Sequence, residues 1–345
     1  MGELPTIRKY EREGVVVMKK ILTVSLLLCL AFSLMGCSNE SANQEVPAET
    51  ENLKVALCLT GPINDKDWNA LAYDGLMLIG ETYGVETNYS ESISQSEMEE
   101  IIRNYALNGY QVIFGHGYEF IDAMMSVAAE FPEVHFIVTS ADVTNGSNLC
   151  SLAVDNSQQG FISGAVAAIV SEKNHVVSIA GMDIPPMRMT LEGFALGAKY
   201  IDPDVKVETG YLGSFDDAGK LKEMMTSYLD GGADVGMLAA DQAAMGGILA
   251  IKEKDAKCVG LNFDQSTLAP ENVVLSVGQS YALAMDHVYQ EIVKGDIQPK
   301  FYNTGLQEGT LFIIDNPDYE LSDTDRKKID DVLAGILDGT IRTME

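Results

Sequence analysis

The fold class follows from the stretch LKVALCLTGPINDKDWNALAYDGLMLIG (53–80). Its first seven residues, LKVALCL (53–59), are almost all apolar, which predicts a strand that is buried on both faces. The strand ends at Thr60-Gly61-Pro62, a typical turn signal. Apolar residues then recur at helical spacing through 68–83, so the stretch predicts a strand, a turn and a helix in that order.

Strand-like and helical segments continue to alternate along the rest of the chain. The first half predicts further strands at 85–89, 112–115 and 135–139 and helices at 95–107 and 119–130. The second half predicts helices at 156–171, 187–200, 218–229 and 243–254 and strands at 176–181, 206–210, 234–238 and 257–261. The tail predicts strands at 273–277 and 310–314 and helices at 282–294 and 323–337. Apolar strands joined by helices indicate an α/β protein with parallel sheets.

Two such halves predict two Rossmann-like lobes with a cleft between them. A tail that returns to the first lobe and then to the second would add hinge strands between the lobes. In open α/β sheets, ligands bind beyond the carboxyl ends of the strands. We therefore expect the binding residues at those ends.

Composition argues against several classes of protein. The chain has 345 residues, enough for about two domains, and its apolar fraction of 46% is ordinary for a packed globular protein. The 51 acidic residues exceed the 23 basic ones and give a formal net charge of −28. Because duplex binding depends on Lys and Arg side chains that neutralise phosphates, nucleic acid is not expected as a partner.

Residues 1–37 have the pattern of a secretory signal region. The pair Lys19-Lys20 precedes an apolar run of 15 residues at 21–35, which is shorter than the about 20 residues of a membrane span. A basic start followed by a short apolar core is typical of a cleaved signal. Residues 1–17 are mixed and charged, so we expect translation to begin at Met18.

The signal ends in Leu34-Met35-Gly36-Cys37, which resembles the bacterial lipobox. In a lipobox the cysteine sulfur receives diacylglycerol and becomes the new N-terminus. We therefore expect Cys37 to anchor the protein at the outer face of the cytoplasmic membrane; an ordinary cleaved signal with an incidental cysteine is the alternative. Residues 38–52 are polar and without periodicity, which predicts a flexible tether.

The remaining cysteines and the histidines do not predict a metal site. Cys58, Cys150 and Cys258 are far apart in apolar runs and form no C-x-x-C pair, so we expect buried structural thiols. The four histidines are scattered. The sequence also lacks G-x-S-x-G, G-x-x-x-x-G-K-[ST] and H-E-x-x-H. We therefore predict no enzymatic activity, no cofactor and no metal.

The loop after the first strand carries the most informative side chains. Asp65 and Asn69 flank Trp68, the only tryptophan of the chain, at the predicted start of a helix. A tryptophan beside a cleft offers a flat face to a planar ligand. The alternatives are that Asp65 caps the helix and that Trp68 packs inside the first lobe.

Other strand ends supply further candidate ligand-binding residues. Gly115-His116-Gly117-Tyr118 lies at the end of the strand at 112–115, and its glycines would let the backbone approach a ligand. Met187 begins a helix and would offer an adaptable apolar contact, with a place in the core as the alternative. The ends of two later strands carry Asp241, Asn262 and Asp264.

Several segments, taken in order, resemble one family of bacterial lipoproteins. They are GPINDKDWNALAYDGL (61–76), GHGYEFIDAMMSVAAEFPEVHFI (115–137), NSQQGFISGAVAA (156–168), GMDIPPMRMTLEGFALGA (181–198), GYLGSFDDAGKLKEMMTSYLDGGADV (210–235) and VGLNFDQ (259–265). The family is that of the basic-membrane-protein lipoproteins, also called the purine nucleoside receptor type of ABC-transporter substrate-binding proteins.

The resemblance implies a type I periplasmic-binding-protein fold with two Rossmann-like lobes joined by a three-strand hinge. It places lobe 1 at 53–155 plus about 278–312 and lobe 2 at 156–277 plus about 313–345. It also implies that a nucleoside, or a related heterocycle, is captured between the lobes.

The resemblance implies roles for individual residues as well. Family members stack the purine on the aromatic residue of a D-K-x-[FW]-N motif, which DKDWN (65–69) matches. They usually hold the ribose with an Asp and a Lys, whose positions here carry Asn262 and Gln279. The family's second aromatic is absent near Met187. Two amides in place of a charged pair suit an uncharged heterocycle such as a free purine base.

We therefore expect a monomeric, non-enzymatic receptor that captures a purine nucleoside or base and delivers it to an ABC permease. One alternative is a receptor for another flat heterocycle such as riboflavin, because Trp68 would stack on any flat ring. A second alternative is an anchored sensor that signals ligand occupancy without transport. An extracellular nucleoside-cleaving enzyme is a third class, which the motifs do not support.

Overall fold

The computed structural model describes residues 53–65 and 68–344. The predicted signal region, the lipidation site Cys37 and the tether at 38–52 lie outside the described residues. Within the described ranges, no helix is long and apolar enough to cross a membrane.

The first of two sheets in the described part has six strands. They are β1 (Lys54–Leu59), β2 (Glu86–Ser90), β3 (Val112–His116), β4 (His135–Thr139), β5 (Leu149–Val154) and β11 (Phe301–Thr304). The strand order is β11-β5-β4-β3-β1-β2, and every neighbouring pair is parallel. The central strands are buried on both faces, as their continuous apolar runs require.

The second sheet also has six strands in the described part. They are β6 (His175–Ala180), β7 (Lys206–Tyr211), β8 (Val235–Ala239), β9 (Lys257–Asn262), β10 (Val273–Gln279) and β12 (Leu311–Asp315). The order is β12-β10-β9-β8-β6-β7. All neighbouring pairs are parallel except β10 and β12, which are antiparallel.

Helices cover both sheets. Those of the first lobe are α1 (Trp68–Tyr83), α2 (Met98–Leu107), α3 (Ile121–Ala128) and α8 (Tyr281–Lys294). Those of the second lobe are α4 (Asn156–Val170), α5 (Pro185–Ile201), α6 (Ala218–Asp230), α7 (Ala244–Glu253) and α9 (Asp323–Leu337). In the described part the chain passes between the lobes after β5, after β10 and after β11. The predicted α/β class with two parallel-sheet lobes is confirmed.

The sequence pattern missed two strands, β5 and β11, which pair with each other. β5 has strand-like composition, but Asp155 alone separates it from helix α4, so no loop marks its end. β11 has only four residues, and the side chain of Asn303 in it is exposed. The hydrogen bonds of β11 to β5 define it as a strand, because its sequence shows no strand-like alternation of apolar and polar residues.

The three cysteines of the described part, Cys58, Cys150 and Cys258, are buried and free of disulfides, which confirms the prediction of structural thiols. Burial raises the pKa of each thiol to about 12 because an apolar interior disfavours the thiolate. Such thiols are unreactive at neutral pH.

Helices α4 and α5 pack at backbone contact, which fixes one wall of the cleft. Gly160 and Gly164 on α4 face Gly193 and Gly197 on α5. A Cβ atom at any of these positions would overlap a backbone carbonyl oxygen of the opposite helix. The close approach holds the first turn of α5, which carries Met187, at the end of the second sheet.

We expect Gly164→Ala to destabilise the protein because its methyl group would overlap the carbonyl oxygen of Phe194. Overpacking of this kind costs roughly 1–3 kcal/mol, which chemical denaturation would measure. Gly219→Ala, in α6, is the matched control: its Cβ would meet only Asp217 Oδ1 at 3.6 Å, an ordinary contact. Because alanine is the better helix former, the control should be neutral or stabilising. An equal loss in both variants would contradict the close-packing explanation.

Candidate functional site

A cavity of about 270 Å³ lies between the lobes, where the strands of both sheets end. Seven of the predicted ligand-binding residues line it: Asp65, Trp68, Asn69, Gly117, Tyr118, Met187 and Asp241. The other predicted residues lie elsewhere, and they are Gly115, His116, Asn262, Asp264 and Gln279. Ligand contact stays a prediction for both groups, but the structure brings only the first group together.

The loop that presents Trp68 is held by internal hydrogen bonds. Asp65 accepts from the backbone N–H groups of Asn69, at 2.8 Å, and Ala70, at 3.0 Å, in the first turn of α1. It also accepts from the Asn69 side-chain amide at 2.7 Å, and Asn69 Oδ1 accepts from the Gly61 N–H at 3.2 Å. The capping alternative is therefore realised for Asp65, and the same bonds fix the position of Trp68.

The two glycines of the β3 end have different roles. Gly115 is buried in the lobe interior, where a Cβ would come within 2.8 Å of Phe120 Cβ, so packing requires glycine there. Gly117 has φ 123°, a conformation that favours glycine, and it lines the cavity. The glycine that lets backbone approach the cavity is therefore Gly117.

His116 lies behind Trp68 rather than on the cavity wall. Its side chain is fully buried, and its ring stacks on the indole with the ring centroids 4.1 Å apart. Burial lowers the pKa of His116 to about 3, so the imidazole is neutral at physiological pH.

Three residues at strand ends hold left-handed backbone conformations. Ser140 follows β4 with φ 53°, Asp241 follows β8 with φ 41°, and Asn262 ends β9 with φ 70°. Such conformations are costly for residues with a side chain and cluster at functional sites. Ser140 and Asp241 both line the cavity.

The second lobe contributes an aromatic ring that the sequence analysis missed. Phe215 lines the cavity from the loop between β7 and α6. A ring therefore does face the cavity from this lobe, although not from the start of α5, where Met187 lies. The loop after β7 is a strand end like the others, and the same strand-end rule would have pointed to it.

Carboxylates make the cavity rich in hydrogen-bond acceptors. Glu119, Asp216 and Asp241 all line it. Glu119 keeps a solvent-exposed face, yet partial desolvation of its carboxylate raises its pKa. Such a wall is complementary to ligands with N–H donors.

Asn262 and Gln279 bond to each other and do not line the cavity. Gln279 Nε2 donates to Asn262 Oδ1 at 2.9 Å, and Gln159 Nε2 donates to the same oxygen at 3.2 Å. Gln159 is 2% exposed and Gln279 is 6% exposed, so the cluster belongs to the interior near the crossover after β10. Asp264 is exposed, and its carboxylate accepts from the Ser266 N–H at 2.9 Å.

A larger groove of about 470 Å³ runs along the edge strand β2 and helix α2. Its polar side chains bond to one another: Tyr105 pairs with Ser90 at 2.8 Å, and the Tyr110 hydroxyl donates to Glu86 at 3.2 Å. Because it follows an outer sheet edge rather than the carboxyl ends of strands, the cavity between the lobes is the candidate site.

Two parallel-sheet lobes around an aromatic-lined cavity define a binding protein that captures a small ligand. The chain belongs to the family described as ABC transporter substrate-binding protein PnrA-like, which it matches over residues 52–342. This confirms the family indicated by the sequence motifs.

Three curated relatives show the range of named roles. The chain is 28% identical to "Transcriptional activator protein med" of Bacillus subtilis, over 87% of this chain and 92% of that protein. It is 27% identical to "Basic membrane protein A" of Borreliella burgdorferi, over 94% and 95%. It is 26% identical to "ABC transporter nucleoside-binding protein BmpA" of Lactococcus lactis, over 63% and 64%.

Solved structures support the type I periplasmic-binding-protein fold. A solute-binding protein of an ABC transporter system from Aeropyrum pernix superposes with a TM-score of 0.74 at 20% identity, over 84% of this chain and 92% of that one. A transcriptional activator of the comK gene from Bacillus halodurans superposes with a TM-score of 0.73 at 25% identity, over 84% and 99%. By its family, the chain is an ABC-transporter-type substrate-binding protein.

Proposed function

We propose that this protein is a lipid-anchored, monomeric receptor that captures a purine base or nucleoside and delivers it to an ABC permease. The observation that carries the proposal is the cavity lined by Trp68 from one lobe and Phe215 from the other. Aromatic faces bind flat heterocycles without discriminating strongly among them. Closure of the lobes around the ligand would give the permease a distinct shape to recognise.

The polar lining favours a heterocycle that donates hydrogen bonds. Glu119, Asp216 and Asp241 can accept from the ring N–H and exocyclic amino groups of adenine or guanine. The volume of about 270 Å³ lies just below the range of typical ligand pockets, which is about 300–1,000 Å³. Size therefore favours a base over a flavin. The relative named as nucleoside-binding supports the same class of ligand.

Catalysis is not part of the proposal. In the described part of the chain, Thr139 and His116 have the chemistry of a nucleophile and its base, with Oγ1 and Nδ1 2.8 Å apart. Both side chains are fully buried, and neither lines the cavity. Free base released from adenosine or guanosine by the purified protein would contradict a non-enzymatic role.

A sensor without transport is the second candidate, because one relative over most of the chain is named a transcriptional activator. The net charge of −28 disfavours direct DNA binding, so such a role would act through a membrane partner. Adjacent permease and ATPase genes would favour transport, and their absence beside this gene would favour sensing.

Isothermal titration calorimetry with adenine, guanine, adenosine, guanosine and riboflavin tests the proposed ligand class. We expect at least one purine to bind and riboflavin to bind more weakly. Native mass spectrometry of the protein purified from cells should detect the retained ligand directly. Binding of riboflavin alone, or of no member of this panel, would overturn the purine assignment.

Membrane attachment should depend on Cys37. One acyl chain holds a protein only marginally, whereas the two chains of a diacylglycerol anchor it durably. Cys37→Ala should therefore release the folded protein from the membrane fraction, which fractionation after a salt wash would measure. Cys58→Ala, at a buried thiol, is the control that should stay attached. Retention of the Cys37 variant in the membrane would contradict the lipid anchor.

A further inference from the structure

The imidazole of His116 forms a buried support behind the indole of Trp68. The two rings stack with their centroids 4.1 Å apart and their planes 27° from parallel. Trp68 lines the cavity, whereas His116 is 0% exposed and does not. One side of the indole is therefore covered by protein, and the residue itself still faces the cavity.

Hydrogen bonds fix both nitrogens of the imidazole. His116 Nε2 lies 3.0 Å from the backbone oxygen of Trp68, and Nδ1 lies 2.8 Å from Thr139 Oγ1. A carbonyl oxygen can only accept, so Nε2 carries the hydrogen. Thr139 Oγ1 accepts from the Gly117 N–H at 3.0 Å and donates its own hydrogen to Nδ1. The network therefore specifies one neutral tautomer.

Tyr281 encloses the stacked pair from the side. Its ring meets Trp68 edge to face at 5.1 Å and His116 edge to face at 4.9 Å. Its hydroxyl is 2.7 Å from Ser140 Oγ, a residue on the cavity wall. Because Tyr281 begins α8 directly after the crossover from β10, the support is built on regular elements of the first lobe.

We propose that His116 is a positioning residue that orders Trp68 before ligand arrives. The inference rests on the proposed function, in which Trp68 stacks on the ligand. Affinity falls when a side chain must be immobilised during binding, and a ring that is already supported avoids that loss. The bond to the Trp68 carbonyl also fixes the first residue of α1, so both the ring and its backbone are held.

Three variants separate the parts of this support. His116→Ala removes the ring and both hydrogen bonds. His116→Phe restores a ring face without the bonds. Thr139→Val keeps the imidazole and its bond to the Trp68 carbonyl but removes the hydroxyl that donates to Nδ1. His287→Gln is the matched control, because His287 is an exposed histidine of α8 that does not line the cavity.

Trp68 is the only tryptophan, so time-resolved fluorescence anisotropy reports the mobility of this one ring. In the ligand-free protein, His116→Ala should add a fast decay component, which His116→Phe should largely remove. Affinity for the tightest-binding purine of the panel should fall roughly 3- to 10-fold in the alanine variant and recover in the phenylalanine variant. The control should match wild type in both measurements.

Unchanged anisotropy and affinity in a folded His116→Ala protein would overturn the proposal. If that variant does not fold, Thr139→Val decides, because it removes one of the two hydrogen bonds that hold the imidazole and should loosen that ring behind the indole. An unchanged decay there would overturn the proposal equally. Should no purine bind wild type, the proposed function fails, yet the ligand-free anisotropy still tests whether His116 positions Trp68.

Discussion

Replacing Trp68 and Phe215 together with alanine is expected to abolish measurable purine binding or weaken it by roughly 2–6 kcal/mol. Each ring faces the cavity from a different lobe. Loss of one aromatic that stacks on a base costs roughly 1–3 kcal/mol, and the sum holds as far as the two contacts are independent. Calorimetry with the best purine would measure the single and double variants.

Both rings are half-buried at the cavity, so their loss should leave the cooperative unfolding transition in place. Tyr200→Ala is the control, because Tyr200 is an aromatic of α5 that is 55% exposed and does not line the cavity. It should leave affinity unchanged. If Phe215→Ala binds as wild type does while Trp68→Ala does not, the second lobe contributes shape rather than stacking. Unchanged affinity in the double variant would remove both rings from the binding site.

The position of the cavity was predictable from the sequence because it depends on topology. Parallel strands that alternate with helices bring their carboxyl ends to one edge of each sheet. The residues that follow β1 were therefore expected at one edge of the first sheet and those that follow β8 at one edge of the second. With a cleft between the lobes these edges form one site, and Trp68 and Asp241 do line the same cavity. No side-chain detail was needed for that step.

The direction of a side chain at a strand end was not predictable in the same way. His116 ends β3 and its side chain is buried in the lobe, whereas Gly117 follows the strand with φ 123° and lines the cavity. At the end of a strand, the sequence does not show which residue turns toward the cavity and which toward the interior of the lobe. Contact of His116 with a ligand stays a prediction, and in the structure its ring stacks on Trp68.

Phe215 is a cavity residue that the sequence did not predict. The family resemblance places the second aromatic near the start of α5, where Met187 stands, whereas the structure has Phe215 in the loop after β7. The edge strand β7 is polar and partly exposed, so the loop after it does not stand out from the strand by composition. An aromatic ring can therefore line the cavity from a loop that carries no sequence motif.

Asn262 and Gln279 are expected to affect the preference of the protein for a free base over a nucleoside. A carboxylate with an ammonium holds ribose hydroxyls by hydrogen bonds worth about 1.5–3 kcal/mol, against about 1 kcal/mol for neutral partners. Here the two amides bond to each other at 2.9 Å and do not line the cavity. Neither amide therefore supplies a wall contact that a nucleoside would gain over its base. We therefore expect wild type to bind a free purine base as well as, or better than, its nucleoside.

The double variant Asn262→Asp/Gln279→Lys should move the preference toward the nucleoside by about tenfold, or about 1.4 kcal/mol. An aspartate at 262 would still accept from Gln159 Nε2, now 3.2 Å from Asn262 Oδ1, and would pair with the new lysine. Either single change should instead lower stability, because it buries one charge near a site where Gln279 is only 6% exposed. Calorimetry with adenine, adenosine, guanine and guanosine would measure the preference of wild type, both single variants and the double variant. Chemical denaturation of the same four proteins would measure their stability. A tenfold preference of wild type for the nucleoside would overturn this expectation. It would mean that other residues bind the sugar, such as Asp241 on the cavity wall.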